Sequence, residues 1–225
     1  MTRLDRLDGP ATAAISDQLV DVYRAAMGAP PFHETEVETG WFAEELAGEL
    51  TEPGFRCWVA RDDDGRVAGF AYGIPTPEIP PDGWYGLLRD AVGQGPDGAA
   101  RWLEGQFAVV WIAVHPDRRG RGIGRALLER LLAGAGADRA WLVSHDLDTP
   151  ARALYRSRGF QELGRGPLGW HDAERVVLGA DLPRTASPGS PGAARCRPVL
   201  AVWESGAMDE EVIPILRVAD AAAAV

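Results

Sequence analysis

The sequence contains no lysine and no asparagine; all 23 basic residues are arginine. These absences exclude chemistry directly. There is no lysine for a Schiff base, none for a Walker-type phosphate loop, and no asparagine amide to orient a ligand. Cysteine is scarce as well. Cys57 and Cys196 stand far apart, form no CxxC pair and match no zinc spacing, so no metal site is expected and a reducing, cytoplasmic setting suits them. Long hydrophobic runs are also missing. The opening MTRLDRLDG lacks the apolar stretch of a signal peptide, and the apolar run ending at Val114 is far too short to span a bilayer, so no membrane partner is expected. Basic charge is in deficit, with 33 acidic residues giving a formal net charge of -10. That disfavours nucleic acid, whose phosphates need a broad basic face, and favours cationic partners.

What is present describes an ordinary globular α/β chain. At 225 residues, 46% of them hydrophobic, one domain with elaborations is the expected organisation. A strand is predicted over Thr2–Leu7, and helices over 12–27 and 35–50 from their apolar periodicity. Phe55–Ala60 and Val67–Tyr72 flank Asp62-Asp63-Asp64-Gly65, a hairpin signal. Residues 75–105 are rich in proline and glycine but hold Trp84, Tyr85, Leu87, Leu88 and Trp102, which reads as a partly helical insertion. The unbroken apolar strand Phe107–Val114 is expected to be buried on both faces. A helix follows at 123–133, then a buried strand at Ala140–Ser144. The next helix is capped by Asp148 or Thr149, with Pro150 in its first turn and Gly159 at its end. A last strand is predicted at Arg175–Leu182. Residues 183–194, PRTASPGSPGAA, are a linker by composition. The extension from Arg195 to Val225 holds two apolar pieces, and Val199–Trp203 could pair with the sheet edge of a second copy in a homodimer.

The densest information lies in VVWIAVHPDRRGRGIGRALLERLL, residues 109–132. A buried strand enters an arginine–glycine loop that opens directly into an amphipathic helix. Glycines let the backbone approach a ligand, and the free N–H groups of a new helix point at it, so this order builds an anion site. Four arginines between Arg118 and Arg125, in an acidic chain, point to a phosphate-bearing ligand.

Arg119-Gly120-Arg121-Gly122-Ile123-Gly124 fits R-x-x-G-x-G at a strand-to-helix turn, and Leu154-Tyr155-Arg156-Ser157-Arg158-Gly159-Phe160 fits LYxxxGF. In this order, each behind a buried strand, the two segments resemble the GNAT superfamily of acetyl-CoA-dependent N-acetyltransferases. The resemblance covers 1–182, with 75–105 as an insertion, and leaves out the linker and extension. It implies a mixed, mostly antiparallel, twisted sheet of about six to seven strands flanked by helices. The strands at 107–114 and 140–144 would form the central parallel pair and splay apart to admit acetyl-CoA. The backbone of Arg119, Gly120, Arg121, Gly122, Ile123 and Gly124, with the helix start at Arg125 and Ala126, would hold the pyrophosphate. Ile112, Ala113 and Val114 would pair with the pantetheine arm, the Val114 N–H lying near the thioester carbonyl. Tyr155 would return a proton to the leaving thiolate. The implied activity is direct acetyl transfer to a primary amine of a small molecule.

Two positions depart from the family pattern. Asp148 stands where many relatives carry asparagine in the cofactor site. Ala108 stands near the place of a central-strand glutamate that serves as general base, and position 111 is tryptophan. Candidate bases are therefore His145, Glu104, His33 and Glu34. His115, in the turn before Pro116, reads as structural, and His171 as a possible acceptor contact. The seven glutamates between Glu34 and Glu52 read most simply as a solvated helix face, with attraction of a cationic amine as the functional reading. The missing strand glutamate supports an alternative function: a sensor or scaffold that binds acyl-CoA without turnover.

Overall fold

A computed structural model describes residues 2–76, 83–93, 98–168 and 174–183. Seven strands form one sheet: β1 (Arg3–Leu7), β2 (Arg56–Arg61), β3 (Val67–Pro75), β4 (Phe107–Val114), β5 (Arg139–His145), β6 (Gln161–Gly166) and β7 (Arg175–Asp181). Their order is β1-β2-β3-β4-β5-β7-β6, and every neighbouring pair is antiparallel except β4 with β5. The helices are α1 (Gly9–Ala13), α2 (Ser16–Met27), α3 (Glu36–Glu49), α4 (Gly83–Gly93), α5 (Ala99–Leu103), α6 (Ile123–Ala133) and α7 (Pro150–Ser157). The expected mixed sheet and its central parallel pair are both present. His171, Trp170 and residues 184–225, with most of the linker and all of the extension, lie outside the described residues.

Two differences from the sequence reading have local causes. The helix expected over 12–27 is two helices, because Ile15 leaves helical geometry (φ -129°, ψ 16°) and Asp8 caps a separate short helix through the Ala11 N–H. Strand β6 was not expected at all. Its residues QELGRG are mostly exposed and show no apolar alternation, and two of them are glycine. Gly164 is needed there because a Cβ would stand 1.8 Å from the Ala91 carbonyl oxygen of the overlying α4. The insertion is helical as expected, and Trp84 anchors it by donating its indole N–H to the Leu168 carbonyl at 3.0 Å.

Helix α6 packs on β2, β3 and β4 from one face, burying Ile123, Leu127, Leu128 and Leu131. The other face meets α2 and α3 over β3 and β4, and α4 over β6 and β7. There Tyr23 stacks on Phe42 at 4.1 Å, and Trp111 meets both rings edge-on, at 4.9 and 5.4 Å. Such pairs add to the stabilisation from burying the rings themselves.

The feature that positions the site is the brevity of the β4–β5 ladder. It consists of Phe107↔Ala140 and Ala108↔Trp141. Directly beyond it β4 bulges: Gly73 lies opposite Val109 but Tyr72 lies opposite Trp111, which leaves Val110 as the extra residue. A bulge bends its strand and sharpens the twist, so β4 leaves β5 at this point. Gly73 is the close approach that allows it. A Cβ at position 73 would stand 2.3 Å from the Ala108 carbonyl oxygen and 2.6 Å from the Phe107 ring.

Gly73→Ala is therefore expected to destabilise the protein by about 1–3 kcal/mol, the usual cost of overpacking. Gly48→Ala, on an open part of α3 with nothing within 4 Å, is the control and should stabilise by roughly 0.5–1 kcal/mol. Urea unfolding midpoints of the two variants check both signs.

Candidate active site

The unpaired edge of β4 supplies the first part of the site. The His115 N–H donates to the Ala68 carbonyl at 2.9 Å on the β3 side. Backbone groups alternate along a strand, so Ala113 also faces β3, while Ile112 and Val114 turn their N–H and C=O toward β5. No β5 residue pairs with them, since the ladder ends at Ala108. Of the three residues expected to meet pantetheine, two thus present backbone to the gap and Ala113 does not.

The loop after β4 is built to end in a bare helix start. His115 accepts from the Asp117 N–H through Nδ1 at 3.3 Å, which gives it the structural role read from the sequence. A 3-10 turn follows at Pro116–Arg118. Gly120 and Gly122 take φ of 73° and 72°, a region that suits glycine and strains other residues. Gly122 is the N-cap of α6, and no side chain caps that helix. The N–H groups of Ile123, Gly124 and Arg125 are left at the positive end of the helix dipole, whereas the Ala126 N–H already bonds the Gly122 carbonyl at 3.0 Å. A Cβ at Gly122 would meet nothing within 4 Å, so open space lies over it.

The arginines divide their work. Arg118 donates to Asp62 in the β2–β3 turn at 2.8 and 3.1 Å, and Arg119 donates to the Ala26 carbonyl near the end of α2 at 3.2 Å. Burial pushes the Arg119 guanidinium pKa down from its usual value. These two brace the loop against the fold. Arg121 and Arg125 are exposed and remain the side chains that can meet an anion.

Across the gap, Thr149 caps α7 by accepting from the Arg152 N–H at 3.3 Å, with Pro150 in the first turn and Gly159 at φ 82° beyond the end. Asp148 does not cap. Its side chain is 92% exposed and lies 3.6 Å from Arg156. Tyr155 is fully buried on α7, its ring 5.9 Å from Phe160.

The candidate bases fall in different places. His145 ends β5, and its ring centroid lies 5.0 Å from that of Phe32 in the loop after α2. His33 and Glu34 follow in the same loop, and Tyr23 donates its hydroxyl to the Glu34 carboxylate. The structure thus brings this loop to the end of β5. Glu104 is not brought there. It precedes β4, at the end where β4 and β5 are paired, and an eight-residue strand, about 26 Å long, separates it from the arginine–glycine loop.

Position 108 itself is roofed over. Trp141 on β5 donates its indole N–H to the Thr76 hydroxyl just past β3, at 2.7 Å. To reach it the indole must cross β4, and the small side chain of Ala108, the partner of Trp141 in the ladder, leaves it the room. A glutamate at 108 would compete for that space.

One carboxyl that the sequence reading placed on a solvated face is drawn into the fold instead. Glu49, the last residue of α3, accepts a hydrogen bond from the buried Tyr72 hydroxyl at 2.7 Å. Burial pushes its pKa up to about 8; the Tyr72 bond opposes that and Glu52 adds to it. Tyr85 of α4 is pushed up to about 12 by burial and by the nearby Glu49 and Glu52. The available signal was the helical phase: Glu49 follows Phe42 and Leu46 on the apolar stripe. Among the described residues no three His, Cys, Asp or Glu side chains come together to hold a metal ion, and no helix is long and apolar enough to cross a membrane.

Comparison with known proteins agrees with this geometry. Residues 53–162 match the family model described as acetyltransferase (GNAT) domain. A mycothiol acetyltransferase of Nocardia farcinica is 33% identical over 154 residues, which are 68% of this chain and 38% of that protein. A GCN5-like protein acetyltransferase of Mycobacterium tuberculosis is 35% identical over 135 residues, 56% of this chain and 63% of that protein. The chain spans less than two thirds of the length of these curated relatives. The solved structure of a Salmonella typhimurium acetyltransferase with its cofactor acetyl-CoA shares the fold, with a TM-score of 0.50 and 19% identity over 85% of this chain and 99% of that one.

The half-buried carboxyl of Glu49 has a measurable consequence for stability. An acid whose pKa is raised by folding, here from 4.5 to about 8, contributes stability that is present below pH 4.5 and lost as the pH rises through 8. Glu49→Gln keeps an acceptor for Tyr72 but never ionises. Its melting temperature should exceed that of the parent protein at pH 8.5, and the gap should close as the pH falls toward 4.5.

Proposed function

From the premise that this chain belongs to the GNAT superfamily, we propose that it moves the acetyl group of acetyl-CoA to a primary amine of a small molecule by direct transfer. The observation that carries the reading is the alignment of an unpaired strand edge with an uncapped helix start. The edge of β4 at Ile112 and Val114 runs into the uncapped start of α6, so an extended arm and a diphosphate can be held by one continuous run of main chain. The residues fit that ligand: Gly120 and Gly122 let it approach, and exposed Arg121 and Arg125 stand beside it with positive charge. When bound, acetyl-CoA supplies the activated acyl thioester.

The chain's own contributions follow from this placement. The Ile112 and Val114 N–H groups donate toward the gap, and the Val114 N–H is the expected donor to the carbonyl oxygen as negative charge develops there. Fixed donors at a buried strand edge need no reorganisation. Tyr155, sealed inside α7, returns a proton to the sulfur as the thiolate leaves. Bringing amine and thioester together in one cleft supplies much of the rate, because the encounter becomes intramolecular. The acidic residues of α3 and of the loop before it favour an acceptor that arrives as a cation. One named relative is a mycothiol acetyltransferase and one a GCN5-like protein acetyltransferase, and of these two kinds of acceptor we favour the smaller.

Calorimetric titration with acetyl-CoA, followed by thiol release across a panel of primary amines, tests the reading. Saturable binding with turnover on at least one amine is expected. Tyr155→Phe should lower kcat by about 100-fold with little change in acetyl-CoA affinity. Gly122→Val should weaken that affinity by about tenfold, since a β-branched residue is strained at φ 72°. Saturable binding with no turnover on any amine would favour the sensor, the reading that the roofed Ala108 supports. No binding would overturn both.

A further inference from the structure

We propose that Glu49, held by Tyr72, is the general base that takes the proton from the attacking amine, an assignment that rests on the acyl-transfer reading above. No carboxylate can come from β4, because Trp141 occupies the space over Ala108 on its way to Thr76. The deprotonating group must therefore reach the reacting centre from another element on the same face.

Glu49 is placed to do so. Tyr72 is the ladder partner of Trp111, the residue that closes the bulge where β4 leaves β5. Side chains of such partners start about 5 Å apart and point to one face. That face is the one covered by Phe42, which touches both Phe70 of β3 and Trp111 of β4. The Glu49 carboxyl lies 2.7 Å beyond the Tyr72 hydroxyl on this face. Its field reaches Tyr85 of α4, the helix that covers β6 and β7. The carboxyl thus lies on the face of the sheet shared by α3 and α4, over β3 and with Tyr85 within reach of its charge.

The chemistry balances without a further reactant. An acceptor that arrives as an ammonium first gives one proton to solvent; the neutral amine nitrogen then bonds to the acetyl carbon, and its next proton passes to the Glu49 carboxylate. The C–S bond breaks with its electron pair on sulfur, which Tyr155 protonates. The titratable groups facing Glu49 are Tyr72 from β3, Tyr85 from α4 and Glu52 just beyond α3, while Cys57 from β2 and Glu45 from α3 face Tyr72. A carboxylate raised by burial is a stronger base than an exposed one and lies closer to the pKa of an amine, which suits this task. The hydrogen bond from Tyr72 stabilises the ionised form and so holds the value below where burial alone would put it.

The test uses the full chain, acetyl-CoA and the amine from the panel that the parent protein turns over fastest, with kcat/KM measured from pH 6 to 9.5. Glu49→Gln should lower kcat about 100-fold and remove an acid limb of the profile, while calorimetric affinity for acetyl-CoA stays unchanged. Tyr72→Phe should keep most of the activity but move that limb up by about one pH unit, through the lost charge-stabilising bond. A merely structural role for the pair would move neither limb. If Glu49→Gln, folded and binding acetyl-CoA, keeps the parent profile, this assignment is wrong and the acyl-transfer reading survives. If the parent protein acetylates no amine, both fall together.

Discussion

Everything in this fold follows from a parallel pair of strands that stops pairing after two residues. Backbone N–H and C=O groups in the middle of a sheet are costly to leave without partners, yet β4 carries on past Ala108 with Ile112 and Val114 turned to a side where no β5 residue pairs with them. The protein tolerates the cost because the surroundings enforce it. Gly73 lets the bulge form, the aromatic cluster of Tyr23, Phe42 and Trp111 fixes the strand beyond it, and Arg118 and Arg119 tie the following loop to the β2–β3 turn and to α2. A ligand that supplies the missing strand is then the natural completion of the sheet.

The same economy governs charge. A loop with four arginines reads as a basic patch, but two of them are consumed in holding the loop and only Arg121 and Arg125 face outward. Anion recognition therefore rests chiefly on main-chain amides at the start of α6, which are positioned by glycine conformation. On the opposite face the fold draws a carboxyl away from water at Glu49, at a cost in stability that grows with pH. A carboxyl perturbed in this way is a candidate for a functional site.

Much of this was legible in the residues. The order of strand, arginine–glycine loop and helix located β4 and α6, apolar runs located the strands at 107–114 and 140–144 while the family resemblance implied that they pair in parallel, and Thr149, Pro150 and Gly159 bounded α7. Periodicity failed where packing overrode it. β6 has no apolar alternation because α4 crosses close over its glycine, and Glu49 was hidden in a run of seven glutamates of which Glu36, Glu44 and Glu52 are exposed. The bulge left no mark in the sequence, since Val109 and Val110 are alike. The reason for alanine at 108 was equally hidden, because it depends on a tryptophan more than thirty residues away crossing the strand.

The central claim is that main-chain amides of β4 and α6 receive the cofactor. Residue-resolved amide hydrogen exchange, with and without coenzyme A, tests it most directly. The account predicts new protection at Ile112, Val114, Ile123, Gly124 and Arg125, with little change at Ala113 and Ala126, whose N–H groups are already engaged. Protection elsewhere in the sheet with none at these five, or no change at saturating coenzyme A, would contradict it.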